Sequence, residues 1–130
     1  MPDVELFSLL GLNTAKVSGV AVTATSDASP QTIATLNTPS LVAGTYMLAY
    51  SFQVTHSAKN QPLFFKTSGD ASDAAYFTNS ASVNDELHVN RFYAYPVVHA
   101  GGVYTLKLDA YKPIGGATFD FVDLMFNRVA

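Results

Sequence analysis

The chain contains no cysteine among its 130 residues. Disulfides, a thiolate nucleophile and cysteine-ligated zinc or iron–sulfur sites are therefore excluded, and folding must rest on packing alone. Charge is also scarce: Asp, Glu, Lys and Arg make up 13% of the residues, against about 25% in an ordinary soluble domain. A surface so poor in charge is covered by Ser, Thr, Asn, Gln and Ala, or is buried against another chain. The formal charge of -3 supplies no field for a phosphate backbone, which argues against nucleic acid as a partner. No segment approaches the roughly 18 consecutive apolar residues of a spanning helix, so no membrane association is expected. The first six residues carry Asp3 and Glu5 where a secretory leader would be basic, so we expect synthesis in a cytoplasm.

What the chain does have is apolar residues at 48%, enough to fill one core, and a length that fits one domain. Their spacing is that of strands. In 44–55, Tyr46, Leu48, Tyr50, Phe52 and Val54 recur at every second position, with Thr45, Ser51, Gln53 and Thr55 between them. In 103–111, Leu106, Leu108 and Ala110 alternate with Thr105, Lys107 and Asp109 after the turn signal Ala100-Gly101-Gly102. Further strands are expected over 17–25, 31–36, 62–67, 74–78 and 87–99, the last on an edge or bulge because it contains Pro96. The closing run 117–129 is apolar on both parities: Phe119, Phe121 and Met125 on one, Val122, Leu124 and Phe126 on the other. A strand does this when both faces are covered or when a bulge switches its parity. Many short strands between polar turns predict an all-β fold, an antiparallel sandwich or barrel.

The first sixteen residues are read as an N-terminal arm, with the domain proper over 17–130. Leu6, Phe7, Leu9, Leu10 and Leu12 crowd apolar surface into this arm, as a first strand, a core-covering segment, or an arm that docks on another subunit. The imidazoles His56, His88 and His99 have no ligand spacing and are expected as satisfied surface or strand-end residues. Asp70 with Asp73, and Asp85 with Glu86, are read as solvated turn carboxylates without calcium-site spacing. Neither a catalytic set nor a cofactor is indicated. Asp120 and Asp123 interrupt an apolar strand and need a partner, with Arg128, Lys107 or a neighbouring chain as candidates, or a bulge that turns one to solvent. The aromatic run 91–96 has stacking character but no accompanying basic groove.

The order of features resembles the jelly-roll domain of the complement-one-q-like and tumour-necrosis-factor-like superfamily. The turn 38–44 leads into an aromatic-alternating strand at Tyr46, Tyr50 and Phe52, a Val-Leu-x-Leu type strand follows at Val103, Leu106 and Leu108, and Phe119 to Phe126 sits where the family places its last strand. The resemblance implies an antiparallel jelly-roll β-sandwich that forms homo-oligomers, a trimer before a dimer, through that last strand. Phe119, Phe121, Val122, Leu124 and Phe126 are then the expected subunit interface. Small, cysteine-free, charge-poor jelly rolls of this length look like bacteriophage head decoration, or cement, proteins. That implies a non-enzymatic virion protein on the capsid surface that stabilises the shell by binding the major capsid protein, with Leu6, Phe7, Leu9, Leu10 and Leu12 as its docking arm. The alternative is a jelly-roll recognition module for a glycan or receptor, as in a fibre tip or a complement-like head.

Overall fold

The computed structural model describes residues 13–23, 29–57, 59–71, 76–80 and 82–130, with the backbone alone at 23, 79 and 88–92. The expected arm residues Leu6, Phe7, Leu9, Leu10 and Leu12 lie outside them. Among the described residues nine strands run in chain order: β1 (Asn13–Val17), β2 (Val20–Thr23), β3 (Gln31–Asn37), β4 (Gly44–His56), β5 (Leu63–Gly69), β6 (Phe77–Asn79), β7 (Leu87–His99), β8 (Thr105–Tyr111) and β9 (Gly116–Arg128). One sheet has the order β1-β9-β4-β7, with β2 also on β9, and the other has the order β3-β8-β5-β6. All pairings are antiparallel. With β1 and β2 counted as one interrupted edge strand, this is the jelly-roll arrangement of two four-stranded sheets.

Residues 13–16, read from sequence as the end of the arm, are the larger part of β1 and pair with β9 from Phe126 to Asp123. The first-strand reading therefore describes them.

The core follows from the period of two. Tyr46, Leu48, Tyr50, Phe52 and Val54 of β4 all point inward and are buried, and Leu106, Leu108 and Ala110 of β8 meet them from the opposite sheet. Aromatic rings organise two centres. Tyr50, Phe52, Phe65 and Phe119 pack at mid-height, with Phe52 lying 5.0 Å from Phe65 and 4.7 Å from Phe119. At one end Tyr46 stacks on Phe126 at 4.7 Å, and His99 stacks on Tyr104 at 4.0 Å beside them. Pro96 lies on β7, the last strand of its sheet, where a missing N–H costs no ladder bond.

Two of the histidines expected as satisfied surface or strand-end residues are buried. His56 continues the inward parity of β4 and is fully buried, with its Nδ1 3.2 Å from the Lys112 ammonium. Burial holds the Lys112 pKa below its ordinary value, and its Nζ also donates to the Gln61 carbonyl at 2.5 Å. His99 ends β7 as expected but is buried; its Nδ1 accepts from the Gly101 N–H at 2.7 Å, and its Nε2 has no partner. The side chain of His88 is outside the described residues.

The carboxylates Asp70 and Glu86 serve turns. Asp70 accepts from the Thr105 N–H at 2.7 Å, and Glu86 accepts from the Ser82 N–H and hydroxyl at 2.7 and 3.0 Å. Asp85 is exposed and left-handed at φ 57°, while Asp73 lies outside the described residues.

Candidate functional site

The double-faced closing strand resolves into a bulge. Along β4 the pairing to β9 steps from Ser51 to Gln53, while along β9 it steps from Asp123 to Asp120, so β9 carries one extra residue at this level. The insertion switches parity: Ala117 and Phe119 face the core below it, and Val122, Leu124 and Phe126 face the core above it. Four of the five side chains expected at a subunit interface, Phe119, Val122, Leu124 and Phe126, are thus interior residues of their own domain, at most 1% exposed. They offer no surface to a sister chain. Phe121 is the extra residue, and it alone of the five faces solvent, at 70% exposure.

The backbone at Phe121 is unusual for its side chain. Its φ is 50°, in the left-handed region that such bulges normally fill with glycine, and a bulky residue there costs ~1–2 kcal/mol. A small network holds it. The edge strand opposite breaks between β1 and β2 at Ser18 and Gly19, level with the bulge, and Gly19 has φ 72°, which glycine adopts freely. The Phe121 N–H donates to Ser18 Oγ at 3.1 Å, the Ser18 hydroxyl donates to Asp120 Oδ1 at 3.1 Å, and the Gly19 N–H donates to the same oxygen at 2.8 Å. Asp120 thereby finds its partners in Ser18 and Gly19, and Asp123 finds its partner in Lys16 at 3.1 Å. Neither pairs with Arg128 or Lys107, two of the partners offered from sequence: Arg128 turns its Nε to the Ala130 carbonyl, and Lys107 belongs to the opposite sheet, whereas Asp120 lies at a bulge, the other arrangement the sequence offered.

Around the ring lies an open cleft of about 330 Å³, lined by Lys16, Val17, Ser18, Phe121, Val122 and Asp123. Its aromatic face, its aliphatic floor and its rim of one hydroxyl and one ion pair suit an amphipathic ligand. They assemble no nucleophile and base. Sequence reasoning picked out Phe121, Asp120 and Asp123 but missed Lys16, Ser18 and Gly19. The Ser-Gly pair inside the expected strand 17–25 was the available signal for a break.

Since the Ser18 hydroxyl bridges Asp120 to the Phe121 amide, Ser18→Ala is expected to lower stability by about 1 kcal/mol, the worth of a net hydrogen bond and its orphaned partner. Urea unfolding of the two proteins measures this. An unchanged midpoint would show that the network does not hold the bulge.

A second surface stands out on the solvent side of the same sheet. The register places Met125, Ala49 and Ala94 in one row, Met47 and Pro96 in the next, and Val98 opposite Thr45 beyond them. No charged side chain interrupts these rows, and Val98 is 83% exposed.

The sequence matches no protein-family model and no curated protein. Solved structures with a similar fold include the isomalto-dextranase of Arthrobacter globiformis T6 complexed with panose (TM-score 0.47, 8% identity, over 88% of this chain and 23% of that one). Eiger TNF from S. frugiperda matches with TM-score 0.46 and 11% identity, over 91% of this chain and 86% of that one. CBM35 from Paenibacillus barcinonensis matches with TM-score 0.38 and 11% identity, over 94% and 96%.

Proposed function

We propose that this chain is a non-catalytic jelly-roll recognition domain that binds a glycan in the cleft at Phe121. One observation carries the reading: a phenylalanine is kept 70% exposed in a strained left-handed backbone where glycine would carry no steric strain. Both the strain and the exposed ring oppose stability, so their retention is accounted for by something the ring does. An exposed ring offers its face to the C–H groups of a sugar, while Ser18, Lys16 and Asp123 supply donors and acceptors at the rim. The test is a glycan array probed with the purified domain, followed by titration of any hit against the wild type and a Phe121 variant. Hits that bind both proteins equally, or no hits at all, would overturn the reading.

The uncharged outer rows of Met47, Ala94, Pro96, Met125 and Val98 favour a second reading, the capsid decoration protein expected from sequence. In it the chain is a homo-oligomer, trimer or dimer, seated on the major capsid protein of a virion, and its subunit contact is this outer face in place of the closing-strand residues. Light scattering should then give a multiple of 13.9 kDa, and Val98→Lys should return the monomer mass. A wild-type monomer at micromolar concentration, or absence of the chain from purified virions, would remove this reading.

A further inference from the structure

The cleft at Phe121 does not end at the Lys16–Asp123 pair. A second cleft of about 250 Å³, lined by Asn13, Thr14, Lys16, Met125 and Asn127, begins on the other side of Lys16. The two share that one side chain, which is 73% exposed and paired with Asp123. From Phe121 to Asn127 the floor is the outer side of β9, bordered by β1, and six residue steps of strand span ~20 Å. Chemistry changes along it: an aromatic ring at one end, an ion pair in the middle, and a thioether with a hydroxyl and amides at the other end.

Resting on the glycan-binding reading above, we infer that the two clefts form one groove for a neutral, linear oligosaccharide, gripped along several sugar units and not only at a single terminal sugar. Length follows from the span. Neutrality follows from the charges: among the described residues Lys16 and Asp123 are the only ionic groups lining either cleft, and at 3.1 Å they compensate each other. As a pair they present a donor and an acceptor side by side, a match for neighbouring sugar hydroxyls. An acidic sugar would instead compete with Asp123 for Lys16 and meet a net repulsion from Asp120 and Asp123. Phe121 holds the first ring, and Thr14, opposite Met125 in the register, borders the last.

The experiment is calorimetric titration of the whole chain with neutral gluco-, galacto- and manno-oligosaccharides of two to six units, and with oligogalacturonates of the same lengths. Affinity for the matching neutral series should rise at least tenfold from two to four units and then level off, with the uronates weaker at every length. Thr14→Arg, on an exposed strand position, should remove that gain while leaving two-unit affinity within twofold. If two and six units bind alike and Thr14→Arg changes nothing, the extended groove is wrong although the Phe121 site stands. Tighter binding of the uronates overturns the neutral ligand. If no saccharide binds and Phe121 variants behave as wild type, the glycan reading itself fails.

Discussion

Phe126→Asp is expected to unfold the domain, with a loss above ~5 kcal/mol. The Phe126 ring is fully buried, stacks on Tyr46 at 4.7 Å with an interplanar angle of 8°, and lies 5.9 Å from both His99 and Tyr104. Truncating a buried phenylalanine alone costs ~3–5 kcal/mol, and a carboxylate left among aromatic rings adds its desolvation. Total stability of a small domain is ~5–15 kcal/mol, so a change of this size removes most or all of it. Circular dichroism at 25 °C, with thermal melts of both proteins, reads the result. The same substitution at a subunit contact would give a folded monomer. A variant with native-like β signal and a cooperative melt would therefore contradict the inward placement of Phe126.

That difference shows what strand periodicity can and cannot convey. Along β4 one parity is apolar from Tyr46 to Val54, so the inward face is readable without a structure. The same alternation reaches His56, whose burial was visible as parity and hidden by its polar neighbours in the turn that follows. Along β9 the pattern is ambiguous because one inserted residue exchanges the two faces, and composition does not distinguish such a bulge from a strand covered on both sides. The pairing partner decides, and it lies on β4, about seventy positions away. β1 was illegible for a related reason. Half-buried Asn, Ala and Val alternating with exposed Thr and Lys make a strand only because β9 stands beside them, more than 100 positions later in the chain.

The candidate site was half visible. Asp120 and Asp123 announced themselves as charges inside an apolar run, and the need for partners followed from desolvation. Their partners could not be named, because Lys16, Ser18 and Gly19 come to them through the register of β1 and β2 on β9, not through any local motif. Phe121 was assigned to an interface with four neighbours. Only the left-handed φ that the bulge imposes separates it from them.

That backbone leads to the second large effect. Phe121→Gly is expected to cut saccharide affinity at least tenfold, about 1.4 kcal/mol of binding free energy, while leaving the domain at least as stable as Phe121→Ala. Within an ordinary strand glycine is ~0.5–1 kcal/mol less stable than alanine, because it loses more backbone freedom on folding. At Phe121 the comparison reverses: alanine keeps a Cβ and so retains the left-handed strain of ~1–2 kcal/mol, and glycine does not. Neither variant forfeits much packing, since the ring it removes is 70% exposed. Paired urea titrations and saccharide titrations on wild type, Phe121→Ala and Phe121→Gly separate the terms. Loss of binding in both variants, with glycine the more stable, means that the fold carries a strained backbone to present this ring. Alanine more stable than glycine would mean that the bulge exerts no strain, and the ring would lose the evidence that sets it apart from an incidental exposed side chain.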